Sequence, residues 1–389
     1  MTARSQAEPG RAATPLELLF DLTFVVAVAL LARELAHAVA ADHAGAALPS
    51  YLMVFFAIWW AWMNFTWFAS AYDTDDVIYR LLTMSQMGGV LVLAAGVPAA
   101  FEHQDFTVIT YGYVIMRVSM VLQWLRAASG DPDRRGVALR YAAGTGAVQI
   151  GWLLRLLLPP PWGLVGFGVL VAAELVVPYW AELRRGTTWH PHHIAERYGL
   201  FTIIVLGECV LAATTAIQAT FSHAGVGFDL VLVGLGALLV LFTLWWLYFL
   251  QPARPLLERR REQAFWWGYG HYGLFAALAA LGAGLEVSAE SLEHHIAAAP
   301  TLVATAVAAP IMIVLLLTWA LHAPLADWRP NHGVAVLLAT AATGAVVGLV
   351  QLGLPLPWAV LVMSLPPAGL LVAAVRRQHA QAGPRPEPG

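Results

Sequence analysis

The chain has 389 residues, of which 59% are hydrophobic and 12% charged, and its mean hydropathy is +0.68. Soluble domains average about 45–50% apolar and about 25% charged residues, so this composition excludes a soluble enzyme, a disordered protein and a nucleic-acid binder. The net charge of −3 comes from 21 basic and 24 acidic residues, and every basic residue is Arg.

Twelve stretches reach the roughly 20 apolar residues that a membrane span needs. In chain order they are predicted over 16–37, 50–71, 79–100, 107–127, 136–157, 162–182, 196–218, 227–250, 264–285, 298–321, 333–353 and 357–375. The expected fold is an all-α polytopic membrane protein. The first span carries Glu17, Asp21, Arg33 and Glu34, unlike the apolar core of a cleaved signal, and is expected to stay in the mature chain. The one cysteine, Cys209, cannot form an internal disulfide, and no Cys/His zinc spacing occurs.

The arginines set the topology. Positive residues favour cytoplasmic loops. With the N-terminus inside, 18 of the 21 fall on the cytoplasmic side: Arg4 and Arg11, Arg80, the Arg126 to Arg140 group, Arg184, Arg185 and Arg197, the Arg254 to Arg261 group, Arg329, and the tail. The other side carries Asp42, Glu102, Asp105, Asp229, Glu286, Glu290 and Glu293 and no Arg. Arg33, Arg117 and Arg155 lie within spans. Twelve spans with both termini cytoplasmic are expected.

A duplication runs through the chain. Arg135-Gly-Val-Ala, Thr145-Gly-Ala-Val and Pro161-Trp162 recur as His332-Gly-Val-Ala, Thr343-Gly-Ala-Val and Pro357-Trp358. Thr23-Phe-Val-Val recurs as Thr202-Ile-Ile-Val, and Trp59-Trp60 as Trp245-Trp246. The expected organisation is a cytoplasmic tail (1–15), a first six-helix repeat (16–186), a cytoplasmic linker (187–195), a second six-helix repeat (196–377) and a C-terminal tail (378–389). Six spans return the chain to its starting side, so the repeats are parallel and related by an axis along the membrane normal.

Ionisable groups within spans mark candidate sites. Glu17 and Asp21 lie four apart on one face of the first span, where a helix N-terminus favouring acids is the plainer reading. Glu208 falls past the bilayer middle, where it could bind a proton or cation or pair with an Arg. Glu174 lies midway along span 6, and Arg117 and Arg155 are the available counter-charges. His271 lies a third of the way into span 9, where a buried packing histidine is the alternative. Asn64 sits in an aromatic run beside Asp73-Thr-Asp75-Asp76 and Arg80. Those carboxylates could hold Mg²⁺ or pair with Arg80, and they share the Asp-x-Asp-Asp form of class II terpene cyclases, while a solvated acidic loop is the plainer reading. His190, His192, His193 and Glu196 precede span 7 without a known zinc spacing.

Thr14-Pro-Leu-Glu-Leu-Leu-Phe-Asp-Leu-Thr-Phe-Val, Trp62-Met-Asn-Phe-Thr-Trp-Phe-Ala with Tyr72-Asp-Thr-Asp-Asp, and His193-Ile-Ala-Glu-Arg-Tyr-Gly-Leu-Phe-Thr-Ile-Ile-Val-Leu-Gly-Glu together resemble the bacterial low temperature requirement protein A (LtrA) family. The resemblance covers nearly the whole chain and implies a polytopic bacterial membrane protein. Its motif positions are Glu17, Phe20, Asp21, Asn64, Asp73, Asp75, Asp76, Arg80, His193, Glu196, Arg197 and Glu208. Phe20-Asp21 with Phe24 is also similar to the first-helix Arg…Phe-Ser-Asp motif of cation channels built from six-helix units, although no Ser precedes Asp21.

The leading expectation is an ion or small-solute channel or transporter, with proton coupling, whose path runs by Glu17, Asp21, Glu208 and His271. The alternative is a membrane-embedded enzyme acting on a lipid or hydrophobic metabolite at Asn64, Asp73, Asp75 and Asp76. A scaffold with merely paired charges is the third. No cofactor is expected, and the partners are the bilayer, an ion or small solute and a possible second copy in a homodimer. No P-loop and no lysine occur, so transport would run on gradients. Glu208→Gln is expected to remove flux, or its pH dependence, in liposomes holding purified protein; wild-type flux in that variant removes Glu208 from the path.

Overall fold

Apolar stretches with no water to satisfy their backbone must bond internally, and in this chain they do so as helices. The computed structural model describes residues 1–5, 8, 10–159, 161–222, 227–293, 296–326 and 330–382. The side chains of 208, 212–213, 215–222, 293, 325–326, 330–332 and 381–382 lie outside that description. Of the described residues 86% are helical, and none is in a strand. Its α-helices are α1 (Pro15–Ala40), α2 (Ala44–Tyr72), α3 (Val77–Ala95), α4 (Val97–Glu102), α5 (Thr107–Gly130), α6 (Arg135–Arg155), α7 (Trp162–Glu182), α8 (Pro191–Ser222), α9 (Phe228–Phe249), α10 (Ala253–Arg259), α11 (Ala264–Glu293), α12 (Pro300–Ala326), α13 (Pro330–Gln351) and α14 (Leu356–Ala382).

Local chemistry sets several of the boundaries. Proline opens α1, α8, α12 and α13, where its missing N–H costs nothing. Asp76 caps α3 by accepting from the Tyr79 backbone N–H, and Asp75 before it takes a left-handed φ of 48° that closes the short link after α2. The stretch predicted as one span over 79–100 is instead broken at Gly96. Pro98 enters there without a backbone donor, so the helical ladder restarts as α4.

Ten helices among the described residues are long and apolar enough to cross a membrane, so the protein is a multi-pass membrane protein. Helix α10 continues the span of α9, the short α4 is not counted, and the two long helices outside that count are α6 and α8. The first carries Arg135, Arg140, Gln149 and Arg155, and the second begins with His192, His193, Glu196 and Arg197.

The chain divides into two compact units, residues 1–34 with 45–201 and residues 35–44 with 202–389. In the first unit α3 packs on α5, α5 on α6 and α6 on α7. Its core is aromatic, with Trp59, Trp60, Trp62, Tyr72 and Tyr79 buried and Trp124 stacked on Tyr141 at 4.2 Å. In the second unit α11 packs on α12, α12 on α13, α13 on α14 and α14 on α9.

Without a hydrophobic force between helices in lipid, close packing relies on small residues. Gly112 of α5 meets α3 so closely that a Cβ there would stand 2.4 Å from the Leu93 backbone nitrogen. In the second unit a Cβ on Gly284 of α11 would stand 2.3 Å from the Ala306 carbonyl oxygen of α12. A Cβ on Gly146 would meet nothing within 4 Å. Gly112→Ala is therefore expected to destabilise by about 1–3 kcal/mol through overpacking. Gly146→Ala is expected to be neutral or stabilising through helix propensity. Thermal unfolding in detergent checks the opposite signs.

Candidate functional site

The first unit gathers its buried charges where α1, α3 and α8 begin and α2 ends. Helix α1 opens with Thr14-Pro-Leu-Glu17, and the sequence folds there as a capping box. The Thr14 N–H donates to Glu17 Oε2 at 2.8 Å, and the Glu17 N–H donates to Thr14 Oγ1 at 3.3 Å. That interaction aims the other oxygen, Oε1, into the protein. Asp21 follows one turn later on the same face. Helix α8 presents a matching pair, His193 and Arg197, also one turn apart. All four side chains are fully buried.

The two pairs interlock. Arg197 forks onto Asp21, with Nη2 at 2.6 Å from Oδ1 and Nε at 3.1 Å from Oδ2, and its Nη1 lies 3.0 Å from Glu17 Oε1. His193 Nε2 lies 2.9 Å from the same Glu17 oxygen. Trp62 of α2 donates its indole N–H to Asp21 Oδ1 at 2.7 Å. From the chain before α1, Arg11 donates to the carbonyls of Ser70 and Ala69 at the end of α2. Its Nη2 also lies 3.6 Å from Asp73 and 3.9 Å from Glu17.

The formal charges are unequal. Glu17, Asp21 and Asp73 contribute three negative charges against the positive charges of Arg11 and Arg197, all five groups being buried; Arg4, half-buried and 3.8 Å from Asp73, is itself paired with Glu8 at 2.6 Å, so those two add no net charge. A proton on His193 would bring the six groups to neutrality. Burial pushes the Asp73 carboxyl above its usual range, and nearby Glu17 adds to that shift while Arg11 opposes it. The Tyr79 hydroxyl and His193 Nδ1 are also buried without a hydrogen-bond partner among the described residues. Buried polar groups are nearly always satisfied, so these two are available to a proton, water or ion within the cluster.

The acidic run at the mouth of α2 does not act as one group. Asp73 turns inward to Arg11. Asp75 is exposed and takes a two-pronged bond from Arg80 at 2.7 and 2.8 Å, which holds its carboxyl below the usual range. Asp76 caps α3 and pairs with Arg126 at 2.9 Å. Its burial is outweighed by the Tyr79 N–H, Thr74 and Arg126, which hold it low. Among the described residues no three His, Cys, Asp or Glu side chains converge to hold a metal. Asn64 donates back to the Trp60 carbonyl of its own helix at 2.8 Å. His190 and His192 bond to the carbonyls of Glu8 and Arg11, and Glu196 lies 3.9 Å from His192.

Glu174 forms a second centre in the same unit. Its carboxylate accepts from Trp60 at 2.9 Å, Tyr113 at 2.8 Å, Arg117 at 2.7 Å, Gln149 at 3.1 Å and Trp152 at 3.2 Å. Five donors from α2, α5 and α6 thus meet one carboxylate of α7. Arg117 is its counter-charge, as the sequence suggests, but Arg155 is not. Arg155 Nε instead donates to the Gly163 carbonyl at 2.9 Å, and its guanidinium lies over aromatic rings.

His271 belongs to the second unit, where it bonds to the Tyr248 hydroxyl at 3.0 Å and to the Trp267 carbonyl at 2.6 Å. The Glu208 side chain lies outside the described residues. Sequence reasoning missed Arg11 and Tyr79 in the first cluster, and Trp60, Tyr113, Gln149 and Trp152 around Glu174. Gln149 carried a signal, as a lone amide in an apolar span. Arg11 carried none, because its charge looked like ordinary tail topology.

This architecture, all-helical with many membrane-crossing helices and ion pairs buried inside, defines a polytopic membrane protein with an internal charge network. The chain belongs to the bacterial low temperature requirement A (LtrA) family, whose model matches residues 12–366. It is 28% identical over 289 residues to an uncharacterized protein of Rhizobium meliloti (strain 1021), spanning 70% of this chain and 68% of that one. It is 36% identical over 87 residues to proteins of Escherichia coli and Pseudomonas aeruginosa named "Putative ethidium bromide resistance protein", spanning 21% of this chain and 69% of theirs.

Removing one partner of a buried pair leaves the other charge unpaired. Glu174→Ala is therefore expected to lose about 3–5 kcal/mol of stability. Arg80→Ala, which breaks an exposed pair, is expected to leave the melting temperature unchanged. Unfolding curves of purified protein in one detergent compare the two.

Proposed function

We propose that the protein is a gradient-driven transporter or channel for an ion or small solute in the bacterial inner membrane, and that the Glu17–Asp21–His193–Arg197 network couples it to protons. The observation that carries this reading is the unequal buried charge. Three buried carboxylates face two buried guanidiniums, the half-buried Arg4 beside Asp73 is matched by its own Glu8, and the sixth buried member is a histidine, the side chain whose unperturbed proton affinity lies nearest physiological pH. A proton arriving at His193 or Glu17 would cancel the excess and loosen the hold of Glu17 on Arg197. A proton leaving would restore it. The Tyr79 hydroxyl offers the next step for that proton.

The transport reading extends to the architecture. Twelve spans in two parallel six-helix repeats, 16–186 and 196–377, with tails and linker cytoplasmic, account for the Arg asymmetry and for the four recurring motifs. Two further features support them. Helix α6 has 21 residues and α8 has 32, so at about 1.5 Å per residue both are long enough to cross. The neighbour order α3–α5–α6–α7 in one unit is matched by α11–α12–α13–α14 in the other. Two short relatives are named for resistance to ethidium bromide, so a lipophilic cation is the first cargo to test.

The test is flux in proteoliposomes under an imposed pH gradient, with ethidium, Na⁺, K⁺ and Cl⁻ offered in turn. Cargo movement is expected to reverse when the gradient is inverted. His193→Gln and Glu17→Gln are each expected to uncouple it, with at least a tenfold loss of proton-driven flux, which corresponds to about 1.4 kcal/mol. Asp75→Asn is expected to behave as the native protein. Full coupling in a folded His193→Gln variant, or no flux of any cargo, overturns the proposal.

A further inference from the structure

At the end of the first unit where α6 begins and α7 finishes, five arginines gather. Arg134, Arg135 and Arg140 belong to the start of α6, and Arg184 and Arg185 follow α7. Two contacts tie the groups together. Arg140 donates Nε and Nη2 to the Ala181 carbonyl at 2.9 and 2.7 Å, and Arg185 Nη1 donates to the Asp133 carbonyl at 2.9 Å. The nearby acids do not cancel this charge. Arg134 lies 3.8 Å from Asp131. Glu182 is turned to Tyr141 and Thr187, which donate to its Oε1 at 3.0 and 2.8 Å. Asp133 is exposed. Five arginines against these three acids leave an excess of two positive charges. Arg135 and Arg184 are exposed and make no hydrogen bond or ion pair among the described residues. Arg80 and Arg126 differ, being taken by Asp75 and Asp76.

Two uncommitted guanidiniums beside others anchored on backbone carbonyls suit the oxygens of a phosphate, which a planar fork can grip by paired N–H···O bonds. Exposed charge alone holds a free phosphate weakly, because water and salt screen it. The surroundings add a second attraction. Leu139, next to Arg140, and Tyr179, Trp180 and Leu183, on either side of Ala181, are exposed. On a membrane helix such side chains meet acyl chains, and Trp and Tyr favour the depth of the headgroups. A ligand that joins a phosphate to acyl chains therefore engages both surfaces. The positive excess repels the cation of a choline or ethanolamine headgroup and attracts a lipid with net negative charge.

We propose that this end of α6 and α7 is a binding site for an anionic phospholipid, its phosphate on Arg135 and Arg184 and its acyl chains along Leu139, Tyr179 and Leu183. The site is independent of the buried charge network and of any proton coupling.

Native mass spectrometry of the purified, delipidated full-length protein in detergent tests it, with dioleoyl phosphatidylglycerol or dioleoyl phosphatidylcholine added at equal concentration. Phosphatidylglycerol is expected to bind about tenfold more tightly than phosphatidylcholine. The Arg135→Gln/Arg184→Gln double variant is expected to lose about tenfold in affinity for phosphatidylglycerol and to keep its weak affinity for phosphatidylcholine. Arg184→Glu, which reverses one exposed charge, is expected to lose affinity in the same direction and provides the test if the double variant does not fold. Arg80→Gln, which removes an arginine already paired, is expected to bind phosphatidylglycerol as the native protein does. Equal affinity for the two lipids, native phosphatidylglycerol affinity in both folded variants, or the same loss in Arg80→Gln overturns the proposal. So does displacement of the lipid by an equal concentration of glycerol 3-phosphate, which would make the site one for a free phosphate.

Discussion

The organisation of the first unit depends on one guanidinium. Arg197 reaches two carboxylates that lie one helical turn apart on α1, and it can do so because its planar fork offers separate donors to each. A lysine ammonium has donors enough for both acids but no planar fork, so it could not hold Asp21 by two parallel bonds while reaching Glu17. Burying these charges costs several kcal/mol per ion, repaid only when the geometry is close and the remaining lone pairs are filled. The Trp62 indole fills one on Asp21, and the Thr14 backbone fills one on Glu17. The pairing also fixes register, since sliding α1 by one residue against α8 would turn both acids away. Arg11 extends the constraint to α2 by bonding its last carbonyls, and so a segment outside the membrane helices becomes part of the interior.

The two buried centres of this unit differ in kind. Around Glu174 the donors exceed the usual appetite of a carboxylate, and a site so fully occupied has no capacity left for change. Around Glu17 the count runs the other way, with more acid than base and hydroxyls without partners. A saturated centre holds helices together. An unsaturated one retains room for a proton to alter it. The contrast is visible within one unit and with the same residue type at the middle of each.

Much of the helical architecture was legible because hydropathy and length act locally: each predicted stretch contains a helix, and the error over 79–100 comes from one Gly-Val-Pro sequence. The Thr14–Glu17 box and the i, i+4 spacing of Glu17 with Asp21 could likewise be read along the chain. The partners could not. Arg197 lies 176 residues from Asp21, and Trp60 lies 114 from Glu174, and nothing local says which buried acid meets which base. The assignment of Arg155 as a counter-charge failed for that reason: proximity in the hydropathy profile is not proximity across a helix bundle. Asp73, Asp75 and Asp76 looked like one cluster because they are consecutive, but the left-handed turn at Asp75 sends them three ways.

The span of 176 residues between Asp21 and Arg197 also has a meaning for biogenesis. Helix α1 leaves the ribosome with two acids that belong to an arginine not yet made. At about 5–20 residues per second, translation must continue for roughly 9–35 s before that arginine exists. An unpaired Asp is costly to insert, by about 2.5–3.5 kcal/mol at a span's centre and by less near its end, where Glu17 and Asp21 lie. The start of the nascent helix is therefore best accommodated at the lipid headgroups, or with its acids protonated, until α8 brings Arg197 to claim it. Correct insertion of the first helix is thus settled late, by the eighth, and a truncated or stalled chain carries its own mark of incompleteness at its start.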